Sequence, residues 1–298
     1  MTAFELDPRN DITARSSGLA RRRATEKIVA VIAILSALLA CAILFVVLGT
    51  VLSKGFSQLD LTFFTKAKPL FGQKGGIADA LVGSALIVGM CAAFAVPVAV
   101  LVAIYISEYA KPATAVFFRM VLDVLNGVPA IIVGIFIYGL LVVGHGQSAI
   151  YAAFALSILM MPMVARATQE VLALVPRSLR EASLALGVPR WRTVYSIVLP
   201  TAIGGILTGV VLAVARVAGE TAPLLFTSSL ITTNGVSTNV SQALQSLPLA
   251  IFEFSESPSP SDHAAGWAAA LVLIAFVLLM NVLAKTFAGL KRRKLEGS

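Results

Sequence analysis

Histidine and cysteine are almost missing from this sequence, with two of each in 298 residues. Cys41 and Cys91 both fall inside apolar runs, so they read as small buried hydrophobes, and no disulfide framework is expected. His145 and His263 lie far apart in predicted turns, which leaves no clustered ligands for a metal. No GxxxxGK[ST] phosphate loop occurs, so the chain itself is not expected to bind or hydrolyse ATP. HExxH and a Ser, His and Asp constellation are absent too, which argues against an intramembrane hydrolase. No catalytic residue and no cofactor is implied. Charged residues make up only 13% of the chain, and neither an internal repeat nor a low-complexity tract is visible.

Apolar residues are what the chain has in quantity: 58% of the sequence, with a mean hydropathy of +0.91. One soluble domain of this size cannot hide that much apolar surface, so the solvent is lipid. The expected fold class is all-α, a polytopic membrane protein with six transmembrane helices. A formal charge of +8 could suggest nucleic acid. Its basic residues, however, lie in bands between apolar runs rather than on one solvated face, so no nucleic-acid partner is expected.

The spans read in order. Residues 1–27 form a polar, basic N-tail, and 28–52 a first transmembrane helix, too long for a signal-peptide core. Residues 53–79 are a polar, Gly-bearing external loop. Residues 80–286 hold five more transmembrane helices, and 287–298 a basic C-tail. Within that core, Ala80–Ile106 is the second span, with a kink expected at Pro97. The third, Met120–Val143, is entered through Asp123, Asn126, Gly127 and Pro129, a polar entry that should face the bundle interior or a wet cavity. The fourth is Ala149–Ala165 and the fifth Ile197–Phe226, where Gly205 and Gly209 stand in GxxxG spacing. The sixth is Ala265–Thr286, preceded by an apolar patch at Leu247–Phe254 that either lies at the interface or re-enters.

Of the 23 Lys and Arg residues, 18 fall in the N-tail, the Ser107–Arg119 return, the insert after the fourth span and the C-terminal stretch from Lys285. Lys54, Lys66, Lys68 and Lys74 fall on the opposite side. The positive-inside rule therefore predicts a multi-pass protein of the cell inner or plasma membrane with both termini cytoplasmic.

The insert, 166–200, is the stretch around which the rest is arranged. Gly187 breaks one helical pattern and Pro189 opens another, giving a helix, a bend and a helix. It carries no nucleophile, metal spacing or phosphate loop, so it reads as a contact surface. Trp191 is either an interfacial anchor or a docking knob.

Arg216 is the sharpest candidate for function. A charge within a span costs about 2.5–3.5 kcal/mol on insertion scales, so it needs a reason. Glu220, one helical turn on, is within reach for an ion pair, though Arg before Glu is the weaker order. The alternatives are a neutralising structural pair or an anion pathway, in which a planar guanidinium meets phosphate oxygens. Asp123 is expected to pair with Arg119 at i, i+4. Asn126 and Pro129 mark either an irregularity lining the path or a structural kink.

Glu181-Ala182, Gly187 six positions after Glu181, and then Ile197, Leu199 and Pro200 resemble the EAA loop of ABC importer permeases, with Ser183 standing where Ala is usual. Tyr105–Ala110, Gly127–Tyr138 and above all Ala215–Thr227 (Ala-Arg-Val-Ala-Gly-Glu-Thr-Ala-Pro-Leu-Leu-Phe-Thr) resemble the phosphate-specific, PstA-type permeases. The resemblance covers roughly Ile77–Lys285. It implies the ABC type I importer permease fold, and an ATPase subunit pair docked on Glu181, Ala182, Gly187, Arg190 and Trp191. It further implies a second permease of the PstC type, an extracytoplasmic phosphate-binding protein, and phosphate passing Arg216, Glu220, Thr221, Asn126 and Pro129. Other oxyanions, sulfate or molybdate, are the alternative substrates. A passive anion channel is the other class, but it would need a symmetric ring or repeated filter and has no use for the insert.

Overall fold

The computed structural model describes residues 16–67, 75–228 and 235–296, with side chains described from 21 to 286 within those segments. Residues 1–15 of the expected N-tail, Lys68 and Lys74, and the side chains of Lys291–Lys294 therefore lie outside it. Every regular element among the described residues is helical. The chain divides into two compact units, Met1–Ser53 and Lys54–Ser298. The described part of the first lies in one helix, α1 (Ser16–Gly55), which contains the predicted span 28–52. From Ile28 to Leu52 it is apolar around its circumference, as a lipid-covered helix must be.

In the second unit a 3-10 turn, Phe56–Gln58, is followed by a short helix α2 (Leu61–Thr65), capped by Asp60, whose carboxylate accepts from the Phe63 amide at 2.7 Å. Next comes α3 (Ala78–Ile104), which ends in a π-helical turn, Tyr105–Tyr109. Then follow α4 (Pro112–Gly127) and α5 (Ala130–Ile137), the latter continued by a π turn at Tyr138–Val142. α6 (Ala149–Leu174) leads to α7 (Arg177–Ala185) and the single turn α8 (Arg190–Thr193). A further π turn, Val194–Val198, carries α8 into α9 (Leu199–Val217). The chain closes with α10 (Leu224–Thr227), α11 (Leu247–Glu256) and α12 (Pro260–Glu296).

Among the described residues, five helical stretches are long and apolar enough to cross a bilayer. The third predicted span is not straight. Met120–Val143 divides into α4 and α5, bent by 92°. The cause is local: Pro129 has no amide to donate and drives Val128 to extended backbone (ψ 127°), ending α4 at Gly127. α5 with its π turn is about 20 Å long, short of the ~30 Å apolar layer, so only the bent pair together can make a sixth crossing.

The core is an α3–α6 pair built from small side chains. Cys91, Ala95, Ala99 and Ala103 of α3 are buried with Ala149, Ala152, Ala153 and Met160 of α6. Small residues let helix backbones approach closely where lipid offers no hydrophobic drive to associate. Ser157 is accommodated there by donating to the Ala153 carbonyl at 2.7 Å. α9 lies against α6 through the predicted GxxxG pair: a Cβ on Gly209 would sit 2.6 Å from the Ala167 Cβ, and one on Gly205 2.7 Å from a Val171 methyl. α6 also runs past the expected end at Ala165 to Leu174, so Arg166 is helical rather than the first residue of a loop.

The patch Leu247–Phe254 is a short helix, α11, packed on α12 and the start of α3. Its first amide, Leu247, donates to the Ser84 hydroxyl at 2.7 Å.

Candidate functional site: a braced elbow and an open guanidinium

The insert folds as an elbow. α7 ends in a Schellman turn: the Val188 amide donates to the Ser183 carbonyl (3.2 Å) and the Gly187 amide to Leu184 (3.0 Å). Gly187 takes the left-handed conformation this turn demands (φ +76°). Pro189 is the residue before α8, its fixed φ of −65° starting the second helix. Across the bend, the buried Ser183 and Thr193 hydroxyls meet at 2.9 Å, so the departure from the usual Ala supplies a bond between the two arms.

The expected docking residues come together on this elbow. Glu181, Ala182, Gly187, Arg190 and Trp191 are all exposed. Around them Leu184, Leu186 and Trp191 are exposed as well, Leu186 to 83% and Trp191 to 63%. Apolar side chains left so open next to charged ones mark a surface meant to be covered.

The elbow is held to the bundle by side-chain contacts that the sequence did not indicate. Arg180, half-buried, donates to both carboxylate oxygens of the buried Glu108 (2.7 and 3.3 Å), to the Val175 carbonyl (2.6 Å) and to the Leu172 carbonyl (2.9 Å). Glu108 belongs to the π turn at the end of α3, 72 residues away in sequence. The Arg190 guanidinium lies over the Tyr109 ring, 5.4 Å from its centroid. The signal in sequence was slight: a lone carboxylate at a basic helix end, needing a partner.

A second polar contact corrects an expectation. Asp123 pairs with Arg166 of α6, not with Arg119, whose guanidinium reaches Gln169 instead at 3.3 Å. Residues at i, i+4 can meet, but a neighbouring helix offered both charges a partner across the groove.

At the far end of α9, about 26 Å from Leu199, stands Arg216. Its helix stops at Val217, and Gly219 and Glu220 form turns instead, their amides donating to the Arg216 and Val217 carbonyls at 3.1 Å. Pro223 then starts the short α10. Glu220 is therefore off the helical register that an i, i+4 pair requires. Among the described residues the ion pairs are Arg166–Asp123 and Arg180–Glu108, and Arg216, which is exposed, is in neither. Thr221 sits in the same turn, its carbonyl accepting from Leu224 at 3.1 Å.

Asn126 and Pro129 are exposed at the α4–α5 break and are not in contact with Arg216 by any bond among the described residues. α5 nonetheless packs on the turn after Arg216: a Cβ on Gly134 would lie 2.7 Å from the Pro223 Cα, and the Tyr138 and Phe226 rings meet at 6.4 Å. Among the described residues no group of three His, Cys, Asp or Glu side chains is placed to hold a metal.

The elbow is thus an exposed surface joining two helices long and apolar enough to cross a membrane. Residues 95–293 match the family described as "Binding-protein-dependent transport system inner membrane component". The chain is 41% identical over 236 residues to the phosphate transport system permease protein PstA of Xylella fastidiosa (strain Temecula1), covering 78% of this chain and 82% of that protein. It is 36% identical over 293 residues to PstA of Yersinia pestis, covering 96% and 99%.

Among solved structures, the fold resembles the MetNI methionine ABC transporter in an inward-facing conformation, with a TM-score of 0.55 and 18% identity over 72% of this chain and 93% of that one. It also resembles a bacterial ABC transporter involved in alginate import, with a TM-score of 0.61 and 13% identity over 89% and 98%. The chain belongs to the binding-protein-dependent inner-membrane permeases of ABC transporters, within their PstA branch.

Proposed function

We propose that this permease moves inorganic phosphate into the cytoplasm as one half of a transmembrane pair. Its partners are a second permease of the PstC type, two ATPase subunits that grip the elbow, and an extracytoplasmic phosphate-binding protein. The elbow and both termini face the cytoplasm, a reading supported by the 18 of 23 cationic residues on that side.

What carries the substrate assignment is Arg216: an exposed guanidinium at the end of a membrane helix, without an ion-pair partner among the described residues. Facing hydrocarbon it would be costly, so it faces water, the second permease or the substrate itself. Its fork of donors suits an oxyanion. A single guanidinium binds weakly enough to release its ion, as a path requires. Glu220 and Thr221, in the adjoining turn, are assigned to the same path, with Asn126 and Pro129 at the break in the helix that packs beside it. The names of the relatives favour phosphate over sulfate or molybdate.

ATP-driven closure of the ATPase pair displaces Glu181–Arg192 and tilts the spans, so that a path for the ion opens alternately to each side. The test is uptake of labelled phosphate by vesicles holding the full complex. Arg216→Gln should abolish it while the ATPase still co-purifies, and unchanged uptake would remove Arg216 from the path.

A further inference from the structure

Resting on the reading that the elbow receives force from an ATPase, we infer that Arg180 and Glu108 are the pin through which elbow movement reaches α3, making them positioning residues for coupling.

Among the described residues little else attaches α7 to the bundle. Of its nine residues only Ser183 is buried, and that hydroxyl bonds to Thr193, inside the elbow itself. Arg180 is what fastens α7 to the bundle. One guanidinium reaches the carbonyls of Leu172 and Val175 at the end of α6 and the carboxylate of Glu108 at the end of α3. α8 returns to the same place, with Arg190 stacked on Tyr109. Both arms of the elbow are thus tied to one π-helical turn, Tyr105–Tyr109.

That turn has the geometry for the task. Its i→i+5 bond, Ala110 amide to Tyr105 carbonyl at 2.9 Å, inserts one residue more than an α-turn, and Glu108 is buried in it. Apolar contacts slide at small cost. A bidentate, largely desolvated charge pair holds one geometry and resists being pulled apart. Because α3 and α6 share the small-residue core, a displacement entering at Arg180 moves both helices as a pair.

The experiment uses the full complex with its ATPase, second permease and binding protein in vesicles. Glu108→Ala should raise the ATP hydrolysed per phosphate accumulated by about tenfold, within the range seen for residues that carry coupling. Glu108→Gln, which keeps the shape and one acceptor, should fall between it and the unmutated protein. Both should co-purify with the ATPase at unmutated yield, which separates coupling from simple destabilisation. If Glu108→Ala fails to assemble, Glu108→Gln decides, and an unmutated ratio in that assembled variant overturns the inference.

Spin labels at the exposed Ser178 and Leu101 supply a readout that needs no phosphate. On adding a non-hydrolysable nucleotide, their separation should stay single and fixed in the unmutated complex and broaden in the Glu108→Gln variant. An equally narrow distribution in the variant overturns the pin. If the unmutated complex moves no phosphate, the function proposed above falls, and the label distances alone decide this inference.

Discussion

The two ends of the chain segment from Arg177 to Thr221 are built on opposite plans. At the elbow every arm is braced: Arg180 to Glu108 and to two carbonyls, Ser183 to Thr193, Arg190 over Tyr109. At the other end Arg216 stands on the last turn of α9 with its guanidinium exposed and in no ion pair among the described residues. Both regions carry arginine, so residue type does not explain the difference. On the proposed function the elbow passes on a push and has to be stiff, while Arg216 handles an ion in transit and has to leave its charge available. Burial and pairing achieve the first, and the early end of the helix at Val217 achieves the second by taking Glu220 out of register.

The comparison can be broken most directly at its open end. Arg216→Gln should reduce labelled phosphate uptake to background. Closing the site instead of emptying it is a subtler attack. Leu212 is exposed one helical turn before Arg216, and Glu four residues ahead of Arg is the favourable order for an ion pair. Leu212→Glu should lower uptake by roughly tenfold, the effect of a pair worth about 1.4 kcal/mol in a low-dielectric site, while Leu212→Gln should not. Equal uptake by the two variants would mean that the availability of Arg216 is not what matters.

At the braced end the expected effects are smaller. Gly187→Val forces a β-branched residue to a φ of +76°, at a cost of about 1–2 kcal/mol. ATP hydrolysis should continue with several-fold less phosphate moved per ATP, read in the same vesicles. Ser183→Ala leaves Thr193 only a 3.4 Å bond to the Pro189 carbonyl. It should lower thermal stability by about 1 kcal/mol or less with transport nearly intact, since one bond of the brace is lost and Arg180 remains.

How far these regions could be read from the sequence follows from how local their causes are. The Gly187 and Pro189 bend was legible because positive φ and a missing amide are properties of single residues. GxxxG at Gly205 and Gly209 was legible because it needs only spacing, and the structure supplies α6 as the helix that comes close. Ion pairs were not. Counting four residues along a helix joined Arg119 to Asp123 and put Glu220 within reach of Arg216, but Asp123 turned to Arg166 on another helix and Glu220 fell beyond the helix end.

Glu108 and Arg180, 72 residues apart, could be joined only by the fold. The 92° break after Gly127 lay between. Pro129 announced an irregularity, but its angle depends on how α5 packs against Pro223 and Phe226, which no local pattern records.

The central claim, that a stiff elbow drives an ion past an exposed arginine, is tested most directly by following ATP hydrolysis and labelled phosphate together in one preparation of vesicles containing the whole complex. The account predicts that unmutated vesicles accumulate phosphate in step with hydrolysis, and that Arg216→Gln vesicles hydrolyse ATP without accumulating any. Accumulation by the Arg216→Gln complex at the unmutated rate would contradict it.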